Sequence, residues 1–421
     1  MKETGILPIF RRIPVLAAGL LILASWSATI PQAKAAEITI PRLELGSRGW
    51  FNDDGEFAVS SRIALDIALS GGYKYSFLLG LSLEAPDIAK AIAHRNFQLG
   101  PFTAAPTADD LNAIIEHQKN MAYIGFRVAK ASIKNMFNLP LSMSYFVGSG
   151  DDFCTGDDFS SLFGVYSFST DYRGFFYFPT GIGGNMTRQY NGIHGAKGTG
   201  LSFAITKWDH IVIPMFYIYQ DFALFPGISS GGKTGVNQYS GDIRVLFHRN
   251  WLSFETLGGV TWNSDRDVKI RMGLMLHFAG KGVEFFAQAG ITSWKIGEGI
   301  NVDNMFFLIE PRLRFRLFAI YVTFFYHPVE YVHIVEMNEQ GMADFNVKFM
   351  FGKEDSGFTA GMEATVELKT DNLDDFLVRL SPFASFTSGG LLWETKLRLM
   401  PQKFKDPKKM MELFIGVRTA F

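Results

Sequence analysis

Residues 311–325 read PRLRFRLFAIYVTFF, with an arginine at every second position and a large apolar residue in each gap. On a helix this spacing would scatter the guanidinium groups around the axis. On a strand it sets Arg312, Arg314 and Arg316 on one face and Leu313, Phe315 and Leu317 on the other. Such a face can lock carboxylates on neighbouring strands or sort passing anions, and it must meet water or counter-charge.

Three other stretches could carry chemistry. GISSGGKT (227–234) fits the phosphate-loop pattern, but that motif works only where it follows a strand and opens a helix. The VNQYSGDIRVLFHRN that follows alternates like a strand, so a flexible Gly/Ser loop is the expectation. HPVEYVH (327–333) places His327 and His333 on one strand face, roughly 20 Å apart, too far to share a metal unless the chain folds back. His277 falls on the same kind of inward face as the arginines, with no nucleophile specified beside it. No cofactor, metal or enzymatic reaction is expected from these residues.

The chain has 421 residues, 48% hydrophobic and 15% aromatic, with 41 Phe. A net charge of −1 and no run of like charges give no reason to expect nucleic acid. The single Cys154 excludes an intrachain disulfide framework. Arg11 and Arg12 precede an apolar run and then Ala33-Lys34-Ala35, the pattern of a cleaved signal peptide over residues 1–35. Its removal takes away Lys2, Arg11, Arg12, Lys34 and Glu3, leaving 36 basic against 40 acidic residues. Further on, the longest apolar run is LFAIYVTFFY, 10 residues, well short of the roughly 18 that a spanning helix needs.

Apolar residues instead recur with period two. LLWETKLRLM sets Leu391, Trp393, Thr395, Leu397 and Leu399 against Leu392, Glu394, Lys396 and Arg398. FTAGMEATVELK, DVKIRMGLMLHF and GVEFFAQAGITSW behave alike, as does the chain from Met411 to Phe421. Connections alternate between longer (FPGISSGGKTG, VEMNEQG, PQKFKDPKK) and shorter (SGG, KWDH, RN, GKG), as in up-and-down strands with tight turns at one end. Residues 85–120 are the exception: APDIAKAIAHRNF and TADDLNAIIEHQKN are amphipathic, with Thr107 and Asp109 as a helix start. This long, partly helical connection either stands above the rim or folds inward. GSGDDFCTGDDFS is expected to be an external loop able to bind a cation or a surface. Trp208, Trp251, Trp262 and Trp294 fall at strand ends, where an interfacial girdle would place them.

Ten-residue alternating segments separated by turns are the signature of an outer-membrane β-barrel, and the terminal LFIGVRTAF resembles the C-terminal sorting signal of such barrels in bacteria. The resemblance covers architecture over residues 37–421 and reaches no particular family. It implies an all-β fold, a transmembrane antiparallel up-and-down β-barrel of about 18 strands (16–20), occupying residues 36–421. An even count puts both termini on the periplasmic side. Outer-membrane lipid, and the barrel assembly machinery acting through the last strand, are the implied partners. Homo-oligomers also come into view, trimers being common among diffusion porins, although no segment marks such an interface.

Alternation then assigns pore-lining candidates: Arg312, Arg314, Arg316, Arg379, Lys396, Arg398, Arg418, Lys269 and Arg271, with Glu363 and Glu367 among the acids. Asp66, Glu84, Glu255, Glu284, Glu310, Glu394 and Glu412 fall on the same face. Whether these make an open basic path or a salt-bridged interior is left open. The expected function is a channel for passive or selective passage of small solutes, since about 18 strands leave an aqueous lumen. No plug, periplasmic or passenger domain is expected, as strand character starts at EITIPRLELG. The alternatives are a transporter of hydrophobic molecules, for which Phe216, Ile218 and Phe286 are apolar lumen candidates, and an adhesion barrel acting through its loops.

Overall fold

Period-two alternation resolves into strands along nearly the whole chain. The computed structural model describes residues 37–52, 55–88, 121–165, 168–170, 192–208, 210–221, 238–263, 268–300, 302–327, 342–352, 357–369 and 376–419. The strands are β1 (Glu37–Phe51), β2 (Phe57–Gly71), β3 (Tyr75–Ala85), β4 (Tyr123–Ile133), β5 (Leu141–Phe153) and β6 (His194–Ile205). Then come β7 (Val212–Asp221), β8 (Gln238–Arg249), β9 (Leu252–Asn263), β10 (Val268–Ala279), β11 (Val283–Lys295) and β12 (Met305–Arg314). The last six are β13 (Phe318–His327), β14 (Met342–Gly352), β15 (Phe358–Lys369), β16 (Phe376–Ser388), β17 (Leu391–Leu399) and β18 (Met411–Thr419). One short helix, α1 (Asp158–Phe163), follows β5. The expected count of about 18 strands holds, and the signal peptide expected over residues 1–35 and most of 85–120 lie outside the described residues.

Every strand pairs antiparallel with its sequence neighbours, and β1 closes the ring on β18 through Glu44↔Arg418 to Trp50↔Glu412. Closure leaves no edge, so every strand has a ladder partner on both sides, the condition for crossing a bilayer in strands. One end of the barrel carries short turns, such as residues 72–74, 250–251, 280–282, 315–317 and 389–390. The other end carries the long connections, including 86–122, 154–193, 222–237 and 328–341. β1 begins and β18 ends at the short-turn end.

The two faces separate by residue type. Outward positions are apolar and exposed, including Leu45, Ile218, Ile243, Leu274, Phe324 and Ile415. In water a continuous apolar exterior would aggregate, so its solvent is hydrocarbon. Trp208 and Trp251 sit at the short-turn end, Trp262 and Trp294 at the other, which places aromatic residues at both rims. Tyr239 stacks on Trp262 (6.2 Å) and Trp251 packs on Phe278 (4.8 Å).

A β-bulge adjusts one inward side chain. Gly80 pairs with Val128 while Leu81 pairs with Phe126, so Arg127 is the extra residue. It turns inward to the Asp66 carboxylate. Gly80 leaves the room, since a Cβ there would lie 2.8 Å from Arg127 Nη2 and 2.9 Å from Asp66 Oδ1.

Two sequence expectations are corrected. Arg316 belongs to the exposed turn 315–317, because β12 ends at Arg314 and the chain reverses there. Phe216 and Ile218 face outward, 39% and 63% exposed, while Tyr217 and Tyr219 point inward. The β7 alternation was offset by one residue, and a shift of one moves every side chain to the other face.

Candidate functional site: the lumen and its inserted segment

The interior is built from cross-strand charge pairs. Arg312 pairs with Glu310 (2.7 Å) and lies 3.6 Å from Glu284, which Arg314 also meets at 3.0 Å. Arg379 pairs with Glu367, Lys396 with Glu363, Arg398 with Glu412 (3.0 Å) and Arg418 with Glu394 (3.5 Å). Arg271 pairs with Asp242 (2.6 Å), and Lys269, two residues before it, points the same way half-buried. Apart from Arg316 in its turn, the arginine ladder of the sequence is thus a set of ion pairs, with Glu310 on the same strand as Arg312 and the other carboxylates on nearby strands.

Sequence reasoning missed the cations of the N-terminal half. Arg48 reaches across the β1–β18 seam to Glu412 at 2.6 Å, and Arg62 meets Glu84 at 2.8 Å. Lys130 pairs with Asp151 (2.6 Å), and Arg244 bridges Glu255 and Asp158. The signal was present: GDIRVLFH alternates as clearly as PRLRFR, and Arg244 shares the face of Asp242.

A second construction sits inside the ring. β5 ends at Phe153, and Cys154 takes a left-handed backbone (φ 59) that turns the chain inward. Gly156 (φ 84) continues the turn where a Cβ would strike the Phe168 carbonyl. Helix α1 follows and stops at left-handed Gly164, whose N–H donates to the Ser160 carbonyl at 3.1 Å. GSGDDFCTGDDFS is therefore not an external loop: its first part ends β5 and the rest lies within the barrel. Phe159 and Phe163, one turn apart, stack at 5.4 Å, and that i, i+4 spacing is the sequence signal for the helix.

The inserted segment brings its own dry core. Phe153, Phe159, Phe168 and Ile193 are buried with Tyr217, Leu257, Met275, Phe286, Phe306 and Phe325 of the wall. Each ring so buried contributes roughly 1.5–3 kcal/mol. Ile193 seats in a notch made by two paired glycines, Gly273 of β10 and Gly290 of β11. A Cβ at Gly273 would come within 2.8 Å of Ile193, and one at Gly290 within 2.6 Å of the Met272 carbonyl. Gly273→Ala is expected to destabilise by about 1–3 kcal/mol through overpacking against Ile193. Urea unfolding from lipid vesicles reads this, and an unchanged midpoint would mean that Ile193 is not seated there.

Polar tethers fix the segment to the wall. The Cys154 N–H donates to Glu255 Oε1 at 2.6 Å, and Gln288 donates to the Cys154 carbonyl. The Thr170 hydroxyl donates to Glu310 Oε2 (2.6 Å), and Arg312 donates to the Ser169 carbonyl. His277 stacks on Phe168 at 3.9 Å and lies 3.9 Å from Glu284, which gives this buried histidine a packing role. Burial, and then the neighbouring Glu255 carboxylate, push the Cys154 thiol well up from its ordinary range.

The lumen is consequently two-sided. Along β8 to β12 the charges next to the insert are sealed, Arg244 and Glu255 side chains being 0% exposed and Arg271 1%, while Arg314 at the end of β12 stays 38% exposed. Along β16 to β18 and β1 to β4 some charges reach water, with Arg48 24% exposed, Arg127 25% and Arg418 26%, beside buried Arg62, Lys396 and Arg398. Among the described residues no group of three His, Cys, Asp or Glu could hold a metal. His333 and GISSGGKT lie outside the described residues.

A closed antiparallel ring with an apolar outer face and an ion-paired inner face defines a transmembrane type of β-barrel, and the fold of this chain is of that class. The chain is similar to a multiply substituted porin of Rh. blastica at 11% identity, covering 91% of this chain and 100% of that one, TM-score 0.43. It is similar to OmpF of Salmonella typhi, solved with daunomycin, at 9% identity over 92% and 97%, TM-score 0.41. OccK11 (OpdR) of Pseudomonas aeruginosa matches at 9% identity over 91% and 94%, TM-score 0.45. No family model and no curated protein matches the sequence.

Proposed function

We propose that the protein is a channel of a bacterial outer membrane that passes small solutes along the wet side of its lumen, beside the inserted segment. The observation that carries this reading is the asymmetry of the interior. The side against the insert is dry and tethered, while Arg48, Arg127 and Arg418 on the other side stay 24%, 25% and 26% exposed. A segment anchored to one wall narrows a bore. The wet wall carries both signs, with carboxylates Glu412, Glu363 and Glu394 facing Arg48, Arg398, Lys396 and Arg418. Rings of mixed charge tune selectivity rather than bar either ion.

The hydrophobic-transporter alternative is not favoured, since two of its three apolar lumen candidates face lipid. Single-channel recording of the refolded mature protein in a planar bilayer tests the channel reading. Stable steps are expected, with a weak ion preference in a salt gradient. Glu412→Gln removes the carboxylate shared by Arg48 and Arg398, so it is expected to shift the reversal potential toward anions. A folded barrel without steps would refute the reading, and an unshifted potential would place Glu412 away from the ion path.

A further inference from the structure

The outer face carries one feature that the channel reading does not use. Between β2 and β5, at the short-turn end, the apolar wall is indented by a groove of about 370 Å³. Its floor is made by small residues, Gly71 and Ala131, where neighbouring outward positions are large. Ala131 pairs with Phe77 on one side and Tyr145 on the other, so two rings flank a missing side chain. Tyr75 and Ile133 pair across the next outward row toward the rim. A ridge, a gap and a ridge on a lipid-facing wall form a slot for one linear hydrocarbon chain.

Charge sits in the turns beside the slot. The turns 72–74 and 134–140 are joined directly, the Lys134 N–H donating to the Lys74 carbonyl at 2.8 Å. The two lysines are thus neighbours on the rim. The Lys74 ammonium lies 6.0 Å from the centroid of the Tyr75 ring that edges the groove, and Lys134 is exposed. Ala131 is three residues, about 10 Å along the strand, from Lys134. That is the span from a headgroup into the first part of an acyl chain.

A third observation concerns the turn itself. Asn135, Phe137 and Asn138 all hold left-handed backbone, with φ of 51°, 55° and 60°. For a bulky residue such as phenylalanine this is a strained conformation. Its result is that Phe137 stands 81% exposed, with Leu139 at 55% and Tyr73 at 80% in the adjoining turn. Apolar and aromatic side chains standing out of a rim next to lysines are the composition of a surface that enters the headgroup layer.

We propose that this corner holds one anionic phospholipid of the leaflet at the short-turn end, with an acyl chain lying over Gly71 and Ala131 and the phosphate between Lys74 and Lys134. The inference rests on the barrel being in a bilayer, not on its conducting. The occupant is a lipid rather than a second copy of the chain because the slot is narrow, apolar along its length and basic only in the turns beside it. Such a site matches one tail and one anionic head.

Native mass spectrometry of the refolded full-length mature barrel tests it, with phosphatidylglycerol and phosphatidylcholine of matched chains as probes. One phosphatidylglycerol is expected to be retained, at about a 25-fold preference over phosphatidylcholine from two lysines acting together. The preference should fall with salt and collapse in the Lys74→Gln/Lys134→Gln double variant, whose changes lie in exposed turns. Ala131→Trp should remove retention of both lipids by filling the floor, with heat-modifiable gel mobility as the folding control. Equal retention of the two lipids, no retention, or an unaffected double variant would overturn the proposal. So would efficient disulfide cross-linking between copies through Ala131→Cys, which would show a second copy covering the groove. A conducting channel with an empty groove sinks this inference alone; a lipid-loaded barrel that never conducts sinks the channel reading alone.

Discussion

Glu255→Ala is expected to free the inserted segment from the wall, at a cost of about 3 kcal/mol. Glu255 has no exposed surface and accepts from both the Cys154 N–H and Arg244. A buried ion pair is weak evidence of net stabilisation, since desolvation cancels most of its attraction. Removing one partner is a different matter, because the remaining charge is left buried and uncompensated, at a cost of about 3–5 kcal/mol. Arg244 keeps Asp158 at 2.6 Å, which places the expected loss at the low end of that range. The protein supplies its own reporter. Cys154 is the only cysteine, fully buried, with a thiol held in its unreactive form. In the variant a water-soluble maleimide should label Cys154 at least tenfold faster, and single-channel conductance should rise as the segment leaves the lumen. Labelling and conductance both unchanged would mean that the aromatic packing of Phe153, Phe159 and Phe168 holds the segment without the tether.

Ile243→Arg should be nearly as costly, for a reason on the other side of the wall. Ile243 lies mid-strand in β8, 53% exposed, paired with outward Phe216, while Arg244 beside it is buried inside. An arginine at the bilayer midplane on the lipid face costs about 2–4 kcal/mol. That corresponds to roughly 30- to 700-fold in the folding equilibrium. Adjacent positions would then differ completely in their tolerance of the same residue, which only the inside–outside alternation of a membrane barrel produces. Urea titration in lipid vesicles measures it, with Ile243→Leu as the neutral control. A midpoint equal to that control would mean that this position meets water, and the face assignment of β8 would be reversed.

The wall was legible in the sequence and its filling was not. LLWETKLRLM and PRLRFRLF announce strands because their alternation is strict, and the acids facing the arginines fall out of the same parity. β7 was harder to place, since IVIPMFYIYQ is apolar on both faces: inward Tyr217 packs on Phe153 and Tyr219 on Phe146, while Phe216 and Ile218 pack against lipid. Where an interior is dry, the contrast that reveals parity disappears. The inserted segment escaped for a related reason. FCTGDDFSSLF looks like an external loop because its glycine and aspartates are turn residues, and α1 is too short for a helical period to stand out. Its destination is set by partners far along the chain, such as Glu255, Gln288 and Glu310, which no local pattern exposes.

The dry core takes all its residues from β5 through β13 and the connection between β5 and β6. The ring seals elsewhere, between β1 and β18, on the wet side. A partly assembled sheet of those nine middle strands therefore already contains both the insert and its cradle. The last joint adds a hydrogen-bond ladder and the Arg48–Glu412 clasp. The two operations that a plugged cylinder normally sets against each other, packing the inside and closing the outside, are separated in this chain by half a circumference.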